Sequence, residues 1–212
     1  MTFLGSRATA ILTIVTLVAS GLILLTGTLP WWAVNAGFIP LRLDGALVQA
    51  GHAFVVPLWA TPLTATQIHG GLAHLALNTV MLVFCGVAVE RAIGGVGVGV
   101  LYLVGAYAAA LGHWAFGPES TAPMIGASGA ISALVGAYSL LYGERRAQAI
   151  GPVPAGVVHV AWLAVAWVGI QLLTGLAGFG GGAPIAIGAH IGGFAAGLIL
   201  ARPLLLWRYR AA

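Results

Sequence analysis

Long apolar runs broken by short polar joints dominate this chain. A membrane span needs about 20 largely apolar residues, and six stretches qualify: about 9–29, 70–90, 93–116, 125–142, 153–177 and 185–206. The pattern predicts an all-α membrane protein, a compact bundle of six transmembrane helices. The first stretch follows Arg7, and its apolar core exceeds the ~7–15 residues of a signal peptide, so it reads as an uncleaved anchor. A long connection, about 30–68, separates the first two spans and is mostly apolar, with one Arg42-x-Asp44 step. A connection of this length is unusual unless it is functional, and short interfacial helices dipping into the outer leaflet are expected there. The other joints are short, and residues 1–212 read as a single membrane domain.

Composition agrees with this pattern. The chain is 60% hydrophobic and 6% charged, where a soluble domain carries roughly a quarter charged residues. There is no lysine, and the acids are Asp44, Glu90, Glu119 and Glu144. The arginines sit at span ends rather than in a patch, so the net charge of +4 gives no reason to expect nucleic acid. Cys85 is the one cysteine and reads as a small buried hydrophobe. Glycine, at 32 residues, suits helices whose backbones pack closely in lipid.

Charge then orients the bundle. With the N-terminus inside, Arg7, Arg91, Arg145, Arg146, Arg202, Arg208 and Arg210 all fall on the inner side, and Arg42 alone falls outside. Lipid-embedded proteins favour this asymmetry. Both termini are therefore expected inside. The compact, lysine-free chain fits a bacterial plasma membrane.

Polar groups within spans are costly and mark functional sites. On this topology Ser128 lies about one turn into the fourth span, and His190 one to two turns into the sixth. His74 and Asn78 lie one and two turns into the second span, at i and i+4 on one face. All four share the outer third of the bilayer. Small residues accompany them: Gly129, Ala133 and Gly136 follow Ser128, and Gly193 and Gly197 follow His190. Such stripes let helices four and six approach until a serine hydroxyl meets a histidine ring.

A serine hydroxyl needs a base within ~2.6–3.2 Å to become a nucleophile, and histidine titrates near neutrality. No acid is placed to orient that histidine, so the expectation is a Ser128–His190 dyad. Acyl transfer also needs hydrogen-bond donors at the developing oxyanion, worth ~2.7–4 kcal/mol each. His74, the Asn78 amide and the Ser128 backbone N–H are the candidates. No metal or other cofactor is expected, since no His-Glu-x-x-His occurs.

Three stretches resemble the rhomboid family of intramembrane serine proteases. His69 to Asn78 looks like the family's second-span pattern of a histidine followed four residues later by asparagine. Gly126-Ala127-Ser128-Gly129 looks like its Gly-x-Ser-Gly motif, and Ala189-His190-Ile191-Gly192-Gly193 like its catalytic-histidine motif. Glu90-Arg91 with the glycine pair beyond is similar to the family's turn between the second and third spans. The resemblance covers roughly 55–205. It implies a six-helix protease that cleaves transmembrane protein substrates near their outer ends, within the lipid bilayer. Ser128 would be the nucleophile and His190 the base and acid, with His74, Asn78 and the Ser128 amide as the oxyanion hole. The fifth span and the loop around 179–183 would be the mobile side. Two positions depart from the family. Ser132 stands where many members place a tyrosine against the histidine, and Leu58-Trp59-Ala60 lacks a Trp-Arg pair.

Other readings compete with these. A non-proteolytic rhomboid-like protein binding transmembrane clients would share the fold, and a small transporter would share the glycine-rich helices. His74 and Asn78 also suit a role as polar bridges between helices. His69 reads as an interfacial histidine at a helix start, with a place at the site entrance as the alternative, and Ser132 as packing. His52, His113 and His159 carry no functional expectation.

Overall fold

A computed structural model describes residues 5–45, 53–143, 147–176 and 186–210. Among these residues the chain forms seven α-helices and several 3-10 turns, and its only β pairing is two isolated bridges. The helices are α1 (Arg7–Leu25), α2 (Leu29–Ala36), α3 (Thr61–Thr64), α4 (Leu72–Phe116), α5 (Ser128–Tyr142), α6 (Ala155–Leu176) and α7 (Ile187–Arg208). In hydrocarbon every backbone polar group must be satisfied within the segment, which leaves helix as the option for these apolar runs. The helices α1, α4 and α7 are each long and apolar enough to cross a membrane.

Helix α4 runs for 45 residues but breaks at Gly94, whose φ of 78° and ψ of 169° are open essentially only to glycine. Its arms fold back on each other: His74 near its start and Ser128 both border Gly126, while Gly112 near its end lies against Gly188 and Gly192, on either side of the His190 that meets Ser128. The two arms are therefore the second and third spans. With α1, α5, α6 and α7 they complete the expected six-segment membrane bundle.

Two span boundaries differ from expectation. The first helix stops at Leu25 rather than about 29, because Gly27 turns left-handed (φ 67°) and the Thr26 hydroxyl donates to the Leu22 carbonyl (2.7 Å). The fourth begins at Ser128 rather than about 125, because Gly126 sits at φ 109°, outside the helical region. Residues 144–146, His52 and the loop around 179–183 lie outside the described residues.

Helix α5 is the central element. Every residue from Gly129 to Ala137 is buried. Its 15 residues span about 22 Å at 1.5 Å per residue, shorter than a ~30 Å hydrocarbon core. A non-helical segment, residues 117–127, leads into its start. Helix α7 packs against it backbone to backbone. A side chain at Gly193 would overlap the Gly129 carbonyl oxygen, and one at Gly197 the Ala133 carbonyl oxygen. The main apolar cluster includes Leu82, Val89, Ile93, Leu101, Ile131, Leu134 and Phe194, drawn from α4, α5 and α7.

Helix α1 is inverted relative to a helix in water. It exposes Ile11, Ile14, Val18 and Leu22 and buries Thr9, Thr13, Thr16 and Ser20. Its start is capped by the buried Glu90 carboxylate, which accepts from Ala8 N (3.0 Å), Thr9 N (2.8 Å) and Thr9 Oγ1 (2.6 Å). An anion belongs at this end of a helix, where unpaired N–H groups and the dipole converge. Arg208 Nη1 donates to the Glu90 carbonyl (3.0 Å), so α1, α4 and α7 are tied at one end of the bundle.

The long first connection lies at the opposite end. It holds α2, a 3-10 turn at Pro40–Asp44 and α3, in keeping with the short helices expected there. Buried Arg42 donates to the Val56 carbonyl (2.9 Å) and lies 3.9 Å from the centre of the Phe54 ring. Burial lowers its pKa. Phe38 pairs with Met124, and Ala65 O accepts from Gly126 N (2.9 Å), so this segment braces the approach to Ser128.

Glu90→Ala removes the charged acceptor and strands three donors. Each charge-assisted bond is worth roughly 1.5–3 kcal/mol, so a loss of about 3 kcal/mol is expected. It reads as a lower unfolding midpoint in detergent, with Glu90→Gln falling between the two. Unfolding of Glu90→Ala at the wild-type temperature would contradict the cap.

Candidate active site

Ser128 is the first residue of α5, not one turn inside it. That difference matters chemically. The first N–H groups of a helix have no acceptor within the helix, and they face whatever lies at its head. The intrahelical ladder opens with Ile131 N donating to Ala127 O (2.9 Å). Ser128 Oγ and its own amide therefore sit at the positive end of the central helix.

His190 lies in the first turn of α7, and its Nε2 is 2.7 Å from Ser128 Oγ. The two residues are 62 apart in sequence and meet because glycine lets α7 lie against α5. Ser132 Oγ donates to the Ser128 carbonyl (2.7 Å), one turn back. An aromatic residue approaches His190 from another helix. Trp167 of α6 stacks on Phe194 (5.5 Å between centroids, 11° between planes), and its Nε1 donates to the His190 carbonyl at 3.4 Å.

His74 stands in the first turn of α4. Its Nδ1 accepts from Gly70 N–H (3.3 Å), which leaves Nε2 to carry the proton in the neutral ring. That nitrogen and the nucleophile both border Gly126. A side chain at Gly126 would come within 2.8 Å of His74 Nε2 and 3.8 Å of Ser128 Oγ. Gly126 thus keeps clear the space between donor and hydroxyl. Asn78 is buried one turn further along α4. Its Nδ2 donates to the His74 carbonyl (2.9 Å), and its Oδ1 has no hydrogen-bond partner among the described residues.

His69 differs most from expectation. It is not an interfacial histidine but fully buried, and its Nε2 accepts from the N–H of Ala127 (3.3 Å), next to Ser128. Its Nδ1 lies 2.7 Å from Ser20 Oγ on α1, and its ring meets the His74 ring edge-on at 5.0 Å. Burial, and after it the nearby His74, holds its pKa down to about 3. The sequence signal that could have found it is a second histidine five residues ahead of His74 in a stretch with little polar content. His113, at the far end of α4, borders a cavity of about 280 Å³ with Ser120 and Gly188. Among the described residues no group of three potential ligands could hold a metal ion.

Taken together, the site offers a hydroxyl against an imidazole, a second imidazole N–H aimed into the same space, and a helix N-terminus. These parts can activate an oxygen nucleophile and receive negative charge on a neighbouring oxygen.

Comparison with known proteins agrees with the fold. A family model described as the Rhomboid domain matches residues 58–207. The chain is 30% identical over 151 residues to RHOMBOID-like protein 4 of Arabidopsis thaliana, covering 68% of this chain and 34% of that protein. It is 32% identical over 166 residues to RHOMBOID-like protein 7 of the same plant, covering 78% of this chain and 49% of that one. It is 40% identical over 84 residues to Rhomboid protease GluP of Bacillus subtilis (strain 168), covering 40% of this chain and 16% of that protein. The chain spans less than half the length of each of these relatives. A family match across most of the sequence, on a six-segment bundle of apolar helices, makes this chain a member of the rhomboid family of integral membrane proteins.

Proposed function

We propose that this chain is an intramembrane serine endopeptidase that hydrolyses peptide bonds of transmembrane proteins by a Ser128–His190 dyad. The observation that carries the reading is the 2.7 Å contact between Ser128 Oγ and His190 Nε2. The similarity to a Bacillus subtilis protein named as a protease supports it.

The chemistry follows from the parts. His190 Nε2 takes the Ser128 proton as Oγ attacks the scissile carbonyl carbon, and the carbonyl π electrons move to oxygen. The oxyanion accepts from Ser128 N–H and His74 Nε2–H. Asn78 joins them if its amide turns from the His74 carbonyl. His190 then gives its proton to the leaving amine, and the C–N bond breaks, leaving an acyl ester on Ser128. Water, deprotonated by His190, attacks that ester and releases the acid and free Ser128.

The arginine pattern puts both termini inside and the site toward the outer side. Substrate helices would be cut near their outer ends, with the lipid bilayer delivering them sideways. The side of α6 is the natural entry, since this helix packs mainly on α7.

In membranes, a serine-directed fluorophosphonate should label wild type and leave Ser128→Ala unlabelled. His190→Ala should lose about 10⁴-fold in turnover of a designed transmembrane substrate, as removal of a catalytic base does in serine hydrolases. Undiminished labelling of Ser128→Ala would remove the assignment. Substrate retention without cleavage by wild type would favour a client-binding role.

Turnover should fall on the acid side, because a protonated His190 cannot accept the serine proton. A rate that stays flat down to the acidity at which the fold itself is lost would argue against His190 as the base.

A further inference from the structure

We infer that His69 is a positioning residue that fixes the backbone ahead of Ser128 through a hydrogen-bond chain reaching back to Ser20 on α1. The inference rests on the protease reading for its catalytic consequence, though not for its geometry.

The proton positions follow from counting donors and acceptors. Ala127 N–H can only donate, so His69 Nε2 must be the unprotonated nitrogen (3.3 Å). The proton of the neutral ring is then on Nδ1, which donates to Ser20 Oγ (2.7 Å). The Ser20 hydroxyl spends its single proton on the Gln67 carbonyl (2.7 Å). Every group in the chain is satisfied once. The opposite tautomer would set Nε2–H against Ala127 N–H and give Ser20 two acceptors for one proton. Protonating the ring would create the same clash, and the low pKa of His69 keeps it neutral.

The chain bears on the residues that would hold the oxyanion. Ala127 is gripped at both ends, its N–H by His69 and its carbonyl by Ile131 N (2.9 Å). The peptide that carries Ser128 N–H begins at that carbonyl. Gly126 N is held by Ala65 O (2.9 Å), from the same short segment as His69. The His69 ring also abuts the His74 ring at 5.0 Å, so one buried side chain orients two of the proposed oxyanion donors. Ser20 lies outside the 58–207 family match, so the first helix reaches the nucleophile through this contact.

The rival is a purely structural tie between α1 and the bundle, and two substitutions separate them. His69→Gln places an acceptor where Nε2 stood and gives up the Ser20 contact. His69→Asn places a donor where Nδ1 stood and gives up Ala127. In the full chain in membranes, His69→Gln should keep fluorophosphonate labelling and turnover within about threefold of wild type. His69→Asn should lower both about tenfold or more at unchanged KM, the worth of one buried hydrogen bond. Amide hydrogen exchange across Gly126–Ser128 should rise in His69→Asn alone. The reverse order, or two variants that behave alike, overturns the inference. If His69→Asn does not assemble, His69→Gln still decides: near-wild-type labelling supports it and a tenfold loss overturns it. Wild type that is never labelled sinks the protease reading instead, and the exchange comparison still tests His69.

Discussion

The contact on which the rest depends is the backbone approach of α7 to α5. Gly193 lies over the Gly129 carbonyl and Gly197 over the Ala133 carbonyl, with no room for a methyl group between them. In lipid there is little hydrophobic gain from bringing two apolar helices together, so packing of this kind must supply the attraction. It also sets the distance at which a side chain on one helix head meets a side chain on the other. Widen the α5–α7 gap by the size of a methyl group and Ser128 and His190 no longer share a hydrogen bond.

The same solvent explains where the polar groups are. Many of the buried ones find a hydrogen-bond partner within the bundle. Glu90 closes the start of α1, where water would otherwise satisfy the free N–H groups. The hydroxyls of α1 turn inward while its aliphatic side chains turn out. Helix α1 thereby contributes at both ends of the bundle: a capped terminus at the Glu90 end and Ser20 at the site end. A bundle so tied can hold its reactive groups in place, while among the described residues the spanning helix α6 packs chiefly on α7.

Much of this was legible in the sequence. Span count and the meeting of Ser128 with His190 follow from hydrophobic runs and small-residue stripes, whereas the turn at the glycine pair beyond Glu90-Arg91 was legible only through the family resemblance. What was not legible depended on backbone angles and distant partners. Ser128 seemed to lie a turn inside its helix because an apolar run does not reveal that Gly126 adopts a positive φ. His69 looked interfacial because its partner Ser20 is 49 residues away on a helix with no local reason to be near. Trp167 was invisible for the same reason: stacking on Phe194 is a property of the packed helices, not of either segment. The Asn78 amide shows a finer limit, since spacing placed it on the right face but could not say which way its donor turns.

The most direct test is a structure of the chain reacted with a phosphonate, whose tetrahedral phosphorus mimics the first intermediate. The account predicts a covalent bond to Ser128 Oγ. It also predicts one phosphoryl oxygen about 2.7–3.1 Å from both Ser128 N and His74 Nε2, the separation expected of oxyanion donors. An adduct on another residue, or an oxygen turned away from both donors, would contradict it.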